Sequence, residues 1–268
     1  MSLFNWLKSS ILSKVVMALT GVLLVAFVCG HTLGNMLIYL GKEEFNAYAQ
    51  FLQSLGEILW LIRITLFLAL ILHIIAAIRV KFLNMASKPV KYQVRRYVKA
   101  KLTSRTMLWT GSMVLAFLAY HLLHFTIGVT NPKDFHVYEY YAPHNAYGVL
   151  PSGAIAKINE PNSKITQNLL DQFESQASKQ VMKRHDVYKM VVLGFKNPWI
   201  SLCYFIGVIL LGFHLNHAIQ SMFQTLGINH PKYDKCLRNF SPVLSTIIVI
   251  CMISIPINIL LGLTGGAL

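Results

Sequence analysis

Six histidines lie within long apolar stretches of this sequence, where a titratable side chain is costly and usually serves a function. They are His31, His73, His121, His124, His214 and His217. The interiors of the same stretches contain no Asp and no Glu, which argues against a carboxylate-based proton relay or cation transporter. A neutral imidazole is a good metal ligand, and two imidazoles can occupy the axial positions of a haem iron. The histidines therefore indicate metal or haem chemistry at membrane depth.

Two of these histidines end the same pattern of Thr-Gly, nine mostly apolar residues and His. The pattern reads TGVLLVAFVCGH at 20–31 and TGSMVLAFLAYH at 110–121. Eleven residues at about 100° each return to within about 20° of the starting direction, so Thr20 faces the same way as His31. Small residues three turns from a ligand would leave space beside a bulky planar ring, and Gly207, seven residues before His214, is placed in an equivalent way. Close helix packing explains a single Thr-Gly equally well.

The elements that carry the histidines are predicted to be transmembrane helices. The chain is 55% hydrophobic and 13% charged, too little polar material to coat a soluble globule. Its apolar runs cover about 14–40, 58–80, 107–129, 199–218 and 243–263, each long enough to cross a hydrocarbon core of about 30 Å. We expect an all-α membrane protein, a single domain over 1–268. Its first four helices would form a four-helix bundle, and a long outer loop would cover 130–198. The first run is too long for a signal peptide and is expected to be retained.

The distribution of Lys and Arg predicts the orientation. The connection 79–105 carries nine basic residues, which marks it as cytoplasmic. The N-terminus and the connection with Lys232, Lys235 and Arg238 fall on the same side, so 41–57 and 130–198 fall outside. The net charge of +14 then reflects membrane topology and attraction to anionic lipid or an acidic partner, and no nucleic acid is expected as a partner.

Helix direction and rise place the histidines at two depths. His31 and His121 lie about 6–7 Å toward the outside from the middle of their spans, and His73 and His214 about 6 Å toward the cytoplasm. Four helices thus supply one histidine each in two planes about 12–13 Å apart. This is the pattern expected for two stacked bis-histidine haems in a four-helix bundle.

Other uses of the histidines and cysteines stay open. His124 and His217 each lie one turn beyond a chosen ligand and could replace it, or they could hydrogen-bond a propionate, a quinone oxygen or a backbone carbonyl. A zinc site that uses both HxxH pairs is less favoured, because the pairs lie near opposite membrane faces. The four cysteines show no ligand spacing and are expected to be inert thiols.

Four longer stretches carry a resemblance to a known family. They are LTGVLLVAFVCGHTLGN at 19–35, LHIIAAIR at 72–79, DVYKMVVLGFKNPW at 186–199 and FHLNHAIQSMFQTLGIN at 213–229. The chain resembles the cytochrome b membrane-anchor subunit of succinate:quinone oxidoreductases (succinate dehydrogenase and fumarate reductase), in the single-anchor class with five helices and two b haems. The resemblance places the axial ligands of the outer haem iron on His31 and His121, and those of the inner haem iron on His73 and His214.

The resemblance also implies partners and a role. A flavoprotein subunit and an iron-sulfur subunit would bind on the cytoplasmic side of a bacterial inner membrane. Electrons would pass between the iron-sulfur subunit and a membrane quinone, expected to be menaquinone, by way of two haem b groups. Succinate oxidation would occur on the partner subunits, so no catalytic residue is expected in this chain. The segment 130–185 contains no motif of the family.

Four charged residues near the outer side are weaker candidates for quinone or haem chemistry. Glu43, Glu44 and Glu57 could supply an acid near the outer haem, although an exposed Glu needs no functional explanation. Arg63 could pair with a haem propionate, and snorkelling to the membrane surface explains it nearly as well.

Two other classes of protein are compatible with parts of the pattern. A di-haem cytochrome b anchor of a hydrogenase or formate dehydrogenase would share the haems but not the stretch FHLNHAIQSMFQTLG. A haem-free, histidine-rich transporter is less favoured because the spans lack carboxylates, and it predicts no visible absorption from the purified protein.

Overall fold

A computed structural model describes residues 9–87, 105–141, 182–228 and 231–266. It confirms the predicted fold class: five helices are long and apolar enough to cross a membrane, and the described residues contain one two-stranded hairpin as their only sheet. The helices are α1 Ser10–Met36, α2 Lys42–Ser54, α3 Glu57–Ala86, α4 Met107–His121, α5 Pro132–Phe135, α6 Val187–Lys196, α7 Pro198–Thr225 and α8 Pro231–Leu260.

Several helices extend beyond the apolar runs that predicted them. Helix α3 continues to Ala86 rather than ending near 80, and α8 begins at Pro231 rather than 243. A single 3₁₀ stretch, Leu37–Leu40, prolongs α1, and a π-helical stretch, Leu122–Thr126, prolongs α4. Polar residues at helix ends continue the backbone hydrogen bonding although they no longer belong to the apolar run, which is why hydropathy underestimates these lengths.

The four helices that carry the predicted ligands pack unequally. Helix α1 packs against α3, and α7 packs against α1, α4 and α8. Helices α3 and α4, by contrast, make at most marginal contact with each other in the described part of the chain. The same is true of α1 with α4 and of α3 with α7, the helix pairs that carry the paired histidines.

The two ends of the bundle differ in structure. At one end lie α2, α6 and an antiparallel hairpin of β1, Tyr138–Tyr141, with β2, Met182–His185; we name this the capped end. At the other, the basic end, lie Arg79 and Lys81 of α3 and the start of α8. The predicted loop 130–198 and connection 41–57 thus contain regular elements. The middle of the predicted outer loop, 142–181, and most of the basic connection, 88–104, lie outside the described residues.

Glycines and N-caps direct the chain at the capped end. Gly41 and Gly56 have φ of +121° and +51°, a region that glycine adopts without strain, and they turn the chain into and out of α2. The Asp186 carboxylate accepts a hydrogen bond from the backbone N–H of Lys189 (3.0 Å) and so caps α6. Asn197 caps α7 through the N–H of Trp199 (3.0 Å).

A buried network of charged and amide groups joins the elements of the cap. Lys42 contacts the carboxylates of Glu139 (2.6 Å) and Asp186 (2.9 Å). Arg184 donates to Glu139 at 2.7 Å, and Asn46 donates to both Glu139 and Asp186 at 2.7 and 2.9 Å. These groups, Lys42 excepted, are at most 7% exposed. We name these five residues the cap network; it fixes α2, the hairpin and the start of α6 against one another.

The surface of the spans is apolar. Trp60, Leu61 and Phe67 on α3 are 61%, 66% and 62% exposed, an arrangement that is unfavourable in water and favourable in lipid. The buried core is divided between the cap, around Val192 and Phe195, and the interior of α7 and α8. The structure is thus compatible with a multi-pass membrane protein.

Candidate functional site: two pairs of histidines

One pair of histidines lies at the capped end. The ring centroids of His31 on α1 and His121 at the end of α4 are 5.8 Å apart, with the ring planes at 83°. Two imidazoles that share one metal through bonds of about 2 Å have centroids about 6 Å apart. Phe27 stacks on His31 at 5.5 Å. The spacing of this pair therefore fits two axial ligands of one metal ion.

The backbone changes form where His121 is placed. Helix α4 ends at His121, and the next five residues, Leu122–Thr126, are π-helical. Such insertions in transmembrane helices often occur at functional sites. The wider turn sets His124 on a different face from the one that regular α-helical spacing would give.

The second pair, His73 on α3 and His214 on α7, lies toward the basic end. The two rings are close enough to interact electrostatically. A Cβ on Gly21 would lie 3.6 Å from the His73 ring, and a Cβ on Gly111 would lie 3.3 Å from the His214 ring. Thr20 Oγ1 lies 3.1 Å from His73 Nδ1. The Thr-Gly pairs, three turns from His31 and His121, thus lie level with the His73–His214 pair.

His214 carries a polar atom that needs a partner. Its Nδ1 is buried and has no hydrogen-bond partner among the described residues, whereas buried ring nitrogens normally have one. The glycines that face the His73 and His214 rings, and the spacing of the His31 and His121 rings, also favour a metal centre at each pair. The residues present therefore fit a pair of bis-histidine metal centres of the haem type.

The extra histidines of the two HxxH pairs have different surroundings. His124 is 3% exposed, its ring stacks on Phe125 at 4.0 Å, and its Nδ1 lies 3.0 Å from the Tyr204 hydroxyl. The ring that contacts His31 is that of His121. His217 lies close enough to His214 to affect it electrostatically. The geometry favours His121 over His124 as the partner of His31.

Gly207 does not have the role that its spacing suggested. The side chain of Phe117 occupies the position where a Cβ on Gly207 would lie. The small residue thus accommodates a phenylalanine of α4, because α4 and α7 pack closely there. The interpretation of Gly207 as space for a planar cofactor is wrong.

The charged candidates near the capped end have other partners. Glu43 pairs with Arg184 through Oε1 and Nη1 at 3.0 Å, and Arg63 lies over the Trp60 ring at 5.1 Å. Glu57 occupies the first turn of α3 and is exposed. Glu44 lies beside Gly41, at the start of α2. None of these contacts joins the four residues to a histidine pair.

Larger donor clusters are absent from the described ranges. No group of three or more His, Cys, Asp or Glu side chains there could hold a metal ion, as a zinc site of the usual kind would require. Cys29, Cys203, Cys236 and Cys251 are all free thiols. A haem iron differs in that the protein needs to supply only its two axial ligands.

Sequence reasoning did not find Tyr204 or the cap network. Tyr204, ten residues before His214, is 6% exposed and lies among the capped-end rings; a single tyrosine in an apolar run gives no signal by spacing. Asp186 could have been found as the N-cap before the apolar pattern VYKMVVLGF. Glu139 and Asn46 are joined across 93 positions, and no local pattern shows such a contact.

The chain matches no family model, no curated protein and no solved structure. The evidence for a function therefore comes from the two histidine pairs and from the helices that hold them.

Proposed function

We propose that this chain is the membrane anchor and di-haem b electron-transfer subunit of a succinate:quinone oxidoreductase. The observation that carries the proposal is the meeting of four histidines from four helices as two pairs, His31 with His121 and His73 with His214. A haem b bound at each pair would supply a metal centre that takes up and releases one electron. The chain's own residues hold the two centres at different depths and exclude water from them.

The packing of the helices supports two planar groups inside the bundle. Helices α1 and α4, and likewise α3 and α7, make at most marginal contact with each other in the described part of the chain, and Gly21 and Gly111 bring backbone close to His73 and His214. The buried Nδ1 of His214 has no partner among the described residues. A bundle packed for stability alone would not be expected to combine these features.

The proposal assigns the basic end to the cytoplasm. Arg79 and Lys81 follow His73 on α3, and Lys235 and Arg238 lie at the start of α8. Basic residues at one end of the spans favour a cytoplasmic location and suit docking of an acidic surface of an iron-sulfur subunit. The His73–His214 pair is then nearer the hydrophilic subunits, and the His31–His121 pair nearer the outer face, where a quinone would react.

The experiment that tests the proposal is a reduced-minus-oxidised visible spectrum of the detergent-purified complex. It is combined with pyridine haemochrome quantitation and identification of the co-purifying chains. We expect two b haems per chain together with a flavoprotein and an iron-sulfur protein. Two haems with different partners would assign the chain to another dehydrogenase, such as a hydrogenase or formate dehydrogenase. A protein without haem would overturn the proposal.

A further inference from the structure

Tyr204 of α7 lies between two histidines at the capped end. Its hydroxyl oxygen is 3.0 Å from Nδ1 of His124 and 3.4 Å from Nδ1 of His121. Tyr204 is 6% exposed, so water does not compete for these hydrogen bonds. One phenol therefore joins the two members of the HxxH pair of α4.

The chemistry of the groups fixes the direction of both hydrogen bonds. An imidazole that binds iron through Nε2 carries its hydrogen on Nδ1. His121 Nδ1–H then donates to the Tyr204 oxygen, and the Tyr204 hydroxyl donates its own hydrogen to Nδ1 of His124. A phenol can accept and donate at once, so all three groups are satisfied.

The same direction assigns the state of His124. Its Nδ1 lone pair accepts from Tyr204, and its hydrogen is then on Nε2. A neutral imidazole in that state has no free lone pair for a metal. With His121 bound to iron, His124 is thus left as the anchor of Tyr204.

Both side chains that orient His121 are held firmly. The Tyr204 ring packs edge-on against Phe195 at 4.9 Å and Phe117 at 5.3 Å. His124 stacks on Phe125 at 4.0 Å, and a Cβ on Gly194 would lie 3.2 Å from its ring. A partner locked by packing orients a metal ligand better than a mobile one.

We propose that Tyr204, anchored by His124, is a positioning residue that orients His121 and raises its basicity as an iron ligand. This inference rests on the proposed function. An acceptor for the Nδ1–H of a bound histidine increases electron donation to the metal. For a haem iron bound by His31 and His121, the ferric state is then stabilised relative to the ferrous state. At the basic end, Thr20 Oγ1 lies 3.1 Å from Nδ1 of His73, so Tyr204 supplies at the capped end the kind of acceptor that Thr20 supplies at the other.

The test is a redox titration of the purified complex, followed by the haem absorbance, with Tyr204→Phe as the variant. The substitution keeps the ring and its packing and removes only the hydroxyl. We expect the midpoint potential of one haem to rise and that of the other to stay constant. The g values of one of the two ferric haems in the electron paramagnetic resonance spectrum should also shift, and its haem affinity should fall by about 10–100-fold.

Two further variants separate positioning from packing. Tyr120→Phe is the matched control, since Tyr120 packs on the same rings, at 5.8 Å from Tyr204 and 5.6 Å from His124; both potentials should be unchanged. His124→Phe removes the anchor and should shift the same haem in the same direction by a smaller amount.

The outcomes distinguish the inference from the proposed function. A wild-type complex without haem overturns the proposed function. Two haems whose potentials and g values are the same in wild type and Tyr204→Phe overturn the positioning role alone. Equal shifts in Tyr204→Phe and Tyr120→Phe, or failure of both Tyr204→Phe and His124→Phe to accumulate, would assign Tyr204 to packing and also overturn the inference.

Discussion

At the residue scale, the pairing of histidines predicts which substitutions act together. Replacing His31 or His121 with Ala should lower the haem content from two to one per chain, because each iron needs both axial ligands. Replacing His73 or His214 should remove the other haem. Pyridine haemochrome quantitation measures the content, and the reduced-minus-oxidised spectrum shows which haem is lost.

The control for the ligand series is His217→Gln, one turn beyond His214. It should retain two haems. If His217→Gln lost a haem and His214→Gln kept both, the ligand at the basic end would be His217.

A second residue-scale prediction concerns the glycines that face the histidines. Gly111→Val should displace the His214 ring, since even a Cβ there would lie 3.3 Å from it and close contacts of this kind force side chains off their rotamers. We expect loss of the haem at the basic end with the other retained. Gly30→Val is the matched control, because a Cβ at Gly30 meets nothing within 4 Å.

The sequence was sufficient for residues whose role depends on local spacing. The eleven-residue interval between Thr20 and His31 follows from helix geometry alone, and the structure places the Thr-Gly pairs where that geometry predicts. The Gly207 interpretation failed because the same spacing does not show that Phe117 of another helix fills the space. Tyr204 was missed for the same reason: its importance comes from the neighbours that tertiary packing brings to it.

At the element scale, the cap network is expected to hold the hairpin and α6 in place. Arg184→Met should leave the buried carboxylate of Glu139 without one of its cationic partners, and breaking a buried pair in this way costs about 3–5 kcal/mol. Thermal unfolding and protease cleavage within the cap measure the effect. Lys183→Met on the same strand, where the exposed side chain lies over the Tyr138 ring at 4.5 Å, should change stability by at most about 1 kcal/mol.

The cap should also be sensitive to acid. Burial alone would raise the pKa of Asp186, but hydrogen bonds from Asn46 and the Lys189 backbone, together with the Lys42 ammonium, outweigh burial and lower it. A lowered carboxylate pKa stabilises the fold above the ordinary value of about 3.9, and the contribution is lost as pH falls through the folded value.

Amide hydrogen exchange of α6 as a function of pH measures this effect. In the wild type, the protection of the α6 amides against exchange should decrease once the pH is lowered below about 4. Asp186→Asn should have weaker protection at neutral pH and a flatter dependence in acid. A wild-type profile as flat as that of the variant would show that Asp186 does not stabilise the cap.

The cap is also the element that the sequence described least well. Hydropathy located the five spans because lipid imposes a long, uniform apolar run on each. The hairpin has strands of four residues, and its cross-strand pair of Glu139 with Arg184 depends on contacts far apart in the chain. Such elements are determined by tertiary partners and not by a local period.

At the scale of the whole molecule, the marginal contact between the helices that carry each histidine pair predicts, under the proposed function, that bound haem stabilises the bundle. A ligand that binds the folded state stabilises it in proportion to the logarithm of its concentration over its dissociation constant. Protein prepared from haem-deficient cells should therefore unfold at a lower temperature than haem-replete protein. In haem-replete cells, His73→Ala should give an intermediate value. Equal unfolding temperatures in all three preparations would contradict a haem-filled bundle.

The long range of the cap network has a consequence for the order in which the protein is made. Lys42 and Asn46 leave the ribosome well before Asp186, to which both are joined across about 140 positions. The first three membrane helices are thus synthesised while the end that will be capped is still open. Under the proposed function, a haem would be inserted near His31 and His121 most easily in that interval, before α6 and α7 are synthesised and pack there.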